Sequence, residues 1–369
     1  MLWVALLVYI AGPLGARAQA EPPDVHTDGR VTFSLKAPEA RDVALFSWEL
    51  RAFSEETTVP MTLEADSIWR VTVGPLPPGV YDYWFDMDGL RITDPMGRNV
   101  FGQRLGARDY FEIPGPEGTP RHDEWRDVSH GALAIHWYPS KAVGEHRRLH
   151  VYTPPGYFEN PDRTYPVLYL LHGAGDDDGI WPTLGRANVI LDNLIADGKA
   201  VPMVLVMPDG MPTVAGEGDR NARRQRMHAV FEQDVLDDLI PYVEARYRIH
   251  ADRDGRAIAG LSMGGGQSLR IGLGHLDRFA WIGGFSSSTF GLDPVLDPLA
   301  ARTEQVNEQL QLLWLAIGED DFLLERHTQF VKRLGELGID HEYHETEGYH
   351  MWSVWRGYLA AFAPRLWHE

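Results

Sequence analysis

A doubly wound α/β domain preceded by a small all-β domain is the fold class this sequence predicts, and three patterns predict it. Residues 25–113 run as short strands with period-two alternation, broken by Gly, Pro and Asp turns. From about residue 126 the apolar runs become continuous, as strands buried on both faces of a parallel sheet require. Helical patterns with apolar residues at three- and four-residue steps alternate with those strands, which is the signature of a layered α/β domain.

In the first region, Val31-Thr-Phe-Ser-Leu35, Trp69-Arg-Val-Thr-Val73 and Val80-Tyr-Asp-Tyr-Trp-Phe85 each read as a strand, with Pro75, Pro77, Pro78 and Gly79 as punctuation. Residues 114–125, rich in Pro, Gly and charge, read as a linker to a second domain over 126–369. There, Val167–Leu171, Met203–Met207, Ala257–Ala259, Trp281–Gly283 and Leu312–Ala316 are buried-strand candidates. Phe231, Val235, Leu236, Leu239, Ile240 and Val243 mark one face of a helix.

Residues 1–20 read as a signal peptide. The apolar run Leu2–Ile10 is too short to span a bilayer, which needs about 20 residues. Gly12, Pro13 and Gly15 follow it, then the small-x-small site Ala18-Gln19-Ala20, although no Lys or Arg precedes the run. Cleavage after Ala20 implies a secreted or periplasmic protein with no membrane attachment. A net charge of −19 argues against nucleic acid, whose phosphates an acidic surface repels. The absence of cysteine excludes disulfides, thiolate metal sites and a cysteine nucleophile.

The sharpest local signal is Gly260-Leu-Ser-Met-Gly264, with a strand before it and a helix pattern over Gln267–Leu273 after it. In that setting Gly-x-Ser-x-Gly forms a nucleophile elbow, in which a strained turn presents the serine at a strand end. A serine needs a base, and the base an orienting acid. Glu319, Asp320 and Asp321 follow the strand Leu312–Ala316, and spacing does not choose among them. Of the later histidines, His327 falls within a helix and is expected at the surface, and His341 and His344 fall on a strand. His350 lies in a strand-to-helix loop, the position that suits the base. Leu171-His-Gly-Ala-Gly175 follows a buried strand and suits an oxyanion loop, with the N–H of Met263 as a second donor.

Other clusters carry less. His341, His344 and His350 lack the helical spacing of a zinc protease, so no metal or other cofactor is expected. Asp176-Asp-Asp-Gly179 lacks the ligand pattern of a calcium loop and reads as a solvated turn. Arg220, Arg223, Arg224 and Arg226 stand in a polar stretch, 209–228, that reads as a long loop. Either they are balanced by neighbouring acids or they clamp a substrate anion at the cleft.

Assembled, these residues resemble the feruloyl and acetyl-xylan esterases of carbohydrate esterase family one, α/β-hydrolases of the esterase-D type. The matching stretches are Arg148–Tyr157, Tyr165–Gly173, Gly185–Ile195, Gly260–Gln267 and Gly348-x-His350-x-Trp352. The resemblance implies an α/β-hydrolase fold with Ser262 as nucleophile, His350 as base, Asp321 as acid, and the amides of Ala174 and Met263 as oxyanion donors. It implies an acylated polysaccharide or oligosaccharide as substrate. His172, Gln267, Tyr349 and Trp352, which border the motifs, are expected to contact it. The sequence departs from the family at Tyr349, where Gly is common, and a bulky side chain there would reshape the acyl pocket.

Leu35-Lys-Ala-Pro38, Pro75–Gly79 and Asp94-Pro95 resemble an immunoglobulin-like module related to glycogen-binding modules. Within it Trp48, Trp69, Tyr83 and Trp84 are either core or sugar-stacking residues. Rival expectations are a siderophore (enterochelin-type) esterase, an acyltransferase of the same fold, and a carbohydrate-binding module on an inactive hydrolase shell.

Overall fold

The computed structural model describes residues 19–367 apart from 54–56, 103, 105, 117, 215, 217 and 218, so nearly all of the expected signal peptide lies outside the described residues. The first part contains β1 (Asp24–Val25), β2 (Val31–Leu35), β3 (Val43–Phe46), β4 (Thr58–Pro60), β5 (Thr62–Leu63), β6 (Trp69–Val73), β7 (Gly79–Met87), β8 (Leu90–Ile92), β9 (Val100–Phe101) and β10 (Arg108–Ile113). They pair into two antiparallel sheets, β1-β2-β6-β5 and β4-β3-β7-β10-β9 with β8 on β7. Alternation in β2 sends Val31, Phe33 and Leu35 into a core shared with Val43, Leu45, Phe85 and Phe111. Trp69, Tyr83 and Trp84 are only 7%, 1% and 8% exposed, so burial removes them as sugar-stacking surfaces. Trp48 is 47% exposed.

The second part contains β11 (Ala132–Ser140), β12 (Glu145–Thr153), β13 (Val167–Leu171), α1 (Ala187–Ala196), β14 (Val204–Pro208), α2 (Arg220–Gln233), a π-helical turn (Asp234–Leu239), α3 (Ile240–Glu244), β15 (Arg256–Leu261), α4 (Ser262–Gly274), β16 (Trp281–Phe285), α5 (Asp293–Ala300), α6 (Thr303–Gln309), β17 (Leu312–Gly318), α7 (Leu324–Leu337), β18 (Glu342–Thr346) and α8 (Trp352–Phe362). One sheet runs β11-β12-β14-β13-β15-β16-β17-β18. It is parallel from β14 to β18, with β11 and β12 added antiparallel at one edge. Alternate residues of β13 serve opposite layers: Val167, Tyr169 and Leu171 pack on one face, Leu168 and Leu170 on the other. All-β sheets thus precede an α/β-hydrolase domain.

The stretch expected as a long loop around the arginines is helical from Arg220. The Asp219 side chain accepts from Ala222 N–H at 2.9 Å and caps α2. Because the first turns of α2 are polar on most sides, apolar periodicity gave no signal there. Asp178 also departs from the solvated-turn expectation: it is 2% exposed and bonds Arg148 at 2.9 Å and His150 at 2.7 Å.

Within the stretch expected as a linker, Arg121 and Asp123 are tied to both parts of the chain. Arg121 reaches Glu112 and Asp123 at 2.9 Å each, and Asp123 also accepts from Arg356 at 2.8 Å. Arg356, 1% exposed, donates in addition to the carbonyls of Val80 and Leu184 at 3.0 Å each. Val80 and Phe101 join the same apolar cluster as Trp181 and Trp355, so the β-sheets and the hydrolase layer share core.

His327 was expected at the surface, yet it is fully buried on α7, beside Tyr343 at 5.9 Å between ring centroids. Burial, partly opposed by nearby Asp321, pushes its pKa down from the ordinary 6.5 to about 4. Between those values only the unfolded chain takes up the proton, so this group's contribution to stability falls as pH drops from 6.5 towards 4. Denaturant unfolding at pH 7 and pH 5 checks the sign. The wild type loses about 2 kcal/mol more across that interval than His327→Leu does.

Candidate active site

Ser262 stands where β15 becomes α4. Leu261 is still extended, at φ −105° and ψ 148°, whereas Ser262 takes φ +51°, a left-handed conformation that a non-glycine residue holds only under local constraint. The constraint is close packing of the turn. A Cβ on Gly260 would meet the carbonyl carbon of Gly264 at 2.6 Å, and one on Gly264 would meet the carbonyl oxygens of Leu171 and His172 at 2.6 and 2.5 Å. The two glycines of the pentapeptide therefore let the turn close against the end of β13. Register does the rest, since Leu171 sits beside Gly260 and brings the 172–175 loop next to Ser262.

Asp321 and His350 come from loops at the same sheet edge, after β17 and β18. The loops touch: Glu319 N–H donates to Thr346 at 2.7 Å, Asp320 N–H donates to Gly348 at 3.2 Å, and a Cβ on Gly318 would stand 2.0 Å from the Gly348 oxygen. His350 Nδ1 lies 2.7 Å from Asp321 Oδ2, and His350 Nε2 lies 3.0 Å from Ser262 Oγ. The other Asp321 oxygen accepts from Leu323 N–H at 2.8 Å, and the residue is only 4% exposed. With Asp321 accepting from Nδ1–H, Nε2 is left to accept from the serine hydroxyl. Glu319 and Asp320 are exposed. The ring is fixed edge-on by Trp355 at 4.8 Å and flanked by Phe322 at 4.5 Å.

Ser262 and Met263 open α4, where the first N–H groups of a helix have no acceptor within it. Ala174, across the gap on the 172–175 loop, is exposed. His172 and Gln267 were expected to contact substrate; the structure sets them behind this loop instead, each 1% exposed. His172 Nε2 accepts from Gly210 N–H at 2.8 Å and its Nδ1 meets the Gly173 oxygen at 2.8 Å, while Gln267 donates to the Gly210 oxygen at 2.8 Å. These three bonds draw the side chains into the interior, where they brace the loops beside Ser262.

Two cavities meet at the triad, with Ala174 and Phe322 on their common border. The first, about 280 Å³, is bounded by His350, Tyr349, Trp352 and Trp355 together with Trp48 and Arg51 of the β-sheet part. Tyr349 and Trp352, expected to contact substrate, line this cavity. The second, about 330 Å³, is bounded by Ser262, Met263, Met227, Phe290, Arg224 and Arg270. His228 also lines it; burial, reinforced by Arg270 and Arg224, pushes its pKa down to about 4, so it is neutral near pH 7. Of the arginine cluster, Arg224 reaches this cavity. Sequence reasoning missed Arg51, Phe322, Trp355, Arg270 and Phe290, which carry no local motif, and it named Trp48 only as one of four core or sugar-stacking candidates without placing it beside His350.

The family model described as "Putative esterase" matches residues 140–366. An endo-1,4-beta-xylanase/feruloyl esterase of Xylanibacter ruminicola is 32% identical over 298 residues, covering 80% of this chain and 40% of that protein. The chain spans 40% and 55% of the lengths of the first curated relatives it matches. Among solved structures, a ferulic acid esterase is 26% identical with a TM-score of 0.56, over 64% of this chain and 98% of that one. The enterobactin esterase of Shigella flexneri, 20% identical, superposes with a TM-score of 0.67 over 92% of each chain, a likeness of fold that extends across both parts.

Proposed function

The chain belongs to this esterase family and is a carboxylic ester hydrolase; on that premise we propose that it is a secreted serine esterase releasing feruloyl or acetyl groups from plant polysaccharides such as xylan. The observation that carries the reading is the unbroken relay Asp321–His350–Ser262, at 2.7 and 3.0 Å, at the junction of two cavities. His350 Nε2 takes the hydroxyl proton as Ser262 Oγ bonds to the ester carbonyl carbon. The negative charge that develops on the carbonyl oxygen rests on the amides of Ala174 and Met263. Collapse breaks the bond to the alcohol oxygen, which leaves with the proton from His350. Water repeats the sequence on the acyl-enzyme: His350 removes its proton, the acid departs, and the proton returns to Ser262. Asp321 stays ionised throughout and holds the ring in the tautomer that accepts at Nε2.

The two cavities also support a division of the substrate. A leaving alcohol must reach His350 Nε2, so it belongs in the first cavity, which His350 lines, and the acyl group belongs in the second. Met211, Met227, Met263 and Phe290 there suit a flat apolar acyl chain, and Arg224 and Arg270 suit oxygen substituents on it. The same two arginines favour a second reading, an esterase of catecholate siderophores, whose acyl portions carry anionic oxygens.

A hydrolysis panel separates the two: methyl ferulate, feruloylated arabinoxylan oligosaccharide, acetyl-xylan and ferric enterobactin, each beside Ser262→Ala. Ser262-dependent release of ferulate or acetate is the expected result. Turnover of ferric enterobactin alone would replace the first reading with the second.

A further inference from the structure

The β-sheet part reaches the triad through one short turn. After β3 the chain passes Trp48 and enters a 3-10 turn, Glu49–Ala52, which faces the loop that carries His350. Glu49, 1% exposed, accepts from Ser353 N–H at 3.2 Å and from the Ser353 hydroxyl at 2.8 Å, in the first turn of α8. The Arg51 guanidinium lies 5.8 Å over the Tyr349 ring. Residues 48–51 are therefore fixed with respect to His350 by contacts on both sides of it in sequence.

Trp48 is oriented as well as placed. Its indole meets Phe46 edge-on at 5.1 Å, and Phe46 stacks on the buried Trp84 at 3.9 Å. Such a chain of rings holds an exposed aromatic face rigid before any ligand arrives, which lowers the ordering cost of stacking. The same cavity is lined by Arg51, Asp176 and Asp320, while Glu49 is taken up by Ser353 and Asp82 is ion-paired with Arg108 at 2.6 Å. Asp320, which is exposed, offers oxygens that accept from hydroxyls. A rigid aromatic plane beside hydroxyl acceptors matches a neutral sugar ring.

We propose that Trp48 is a specificity-determining residue that stacks on the sugar ring of the leaving alcohol, so that the β-sheet part forms a wall of the active site. The proposal rests on the esterase reading above and names the residue that selects the alcohol. It assigns no sugar contact to Trp69, Tyr83 or Trp84.

The test holds the acyl group constant and changes the alcohol. Steady-state kinetics on feruloylated arabinoxylan oligosaccharide and on methyl ferulate are compared in the full chain, Trp48→Ala, Trp48→Phe and Ser262→Ala. Acetylated xylo-oligosaccharide against methyl acetate serves the same purpose if the acyl group is acetyl. In Trp48→Ala, KM for the sugar ester rises about tenfold while kcat changes little, and the methyl ester loses a smaller factor. Trp48→Phe, which keeps an aromatic face, recovers most of the difference.

Equal losses on both esters, or none on the sugar ester, would overturn the proposal. A loss on the sugar ester that Trp48→Phe does not recover would overturn stacking as its cause. Activity that survives Ser262→Ala would instead sink the triad reading, and a wild type silent on both ester pairs would remove the premise and the proposal with it.

Discussion

Ser262→Ala lowers kcat by roughly 10⁴–10⁶-fold on any ester that the wild type turns over, because the nucleophile and its proton are lost together. The change deletes only Oγ, whose partner is His350 Nε2 at 3.0 Å. The elbow itself is held by Gly260, Gly264 and the end of β13, and the Ser262 carbonyl still accepts from Ser288 N–H at 2.8 Å. The midpoint of thermal unfolding is therefore expected to stay within about 2 °C of the wild type, as for other substitutions away from the destabilising mechanisms. KM is expected to change less than kcat, since both cavities and the oxyanion amides remain. A variant that kept a tenth of the activity would show that another group attacks the ester. Single-turnover kinetics, scored by release of alcohol, separates that outcome from slow deacylation.

Asp321→Asn produces the second large effect, a fall in kcat of about 10³–10⁴-fold, through a different cause. The carboxylate accepts from His350 Nδ1 at 2.7 Å and from Leu323 N–H at 2.8 Å. A carboxamide can keep one of these bonds with its oxygen. If Leu323 retains the oxygen, the amide NH₂ faces Nδ1 and favours the tautomer protonated at Nε2. That tautomer donates towards Ser262 instead of accepting its proton. The imidazolium formed during attack also loses its counter-charge, in a position where the acid is almost wholly buried. Glu319→Gln, two residues away and exposed, serves as the control and is expected to cost less than about threefold. Equal effects of the two substitutions would mean that the acid had been misassigned.

The contrast between Glu319 and Asp321 also marks how far the sequence could be read. Three neighbouring carboxylates share one local pattern, and only the path of the loop after β17 decides which of them turns inward to His350. His327 shows the same limit. Its helix was legible, but the face of α7 that packs on β18 was not, so a buried neutral histidine read as a surface one. The arginines at 220–226 read as loop because a polar helix start carries no periodic apolar signal. His172 and Gln267 lie inside conspicuous motifs, and the hydrogen bonds to Gly210 that take them off the cavity wall come from a loop some forty to sixty residues away in sequence.

By itself the sequence determined what depends on neighbours along the chain: the strand periods, the alternation of strand and helix, and the Gly-x-Ser-x-Gly turn with a strand before it and a helix after it. These follow from the two- and 3.6-residue repeats and from the room that glycine leaves. Tertiary structure alone decided what depends on distant partners. Glu49 meets Ser353 across 304 positions, and Trp48 and Arg51 enter the wall beside His350 through the same contact between the two parts. No repeat in the chain encodes such a meeting. It exists because Val80 and Phe101 are buried together with Trp181 and Trp355, and because Arg356 ties the β-sheet part to the hydrolase layer.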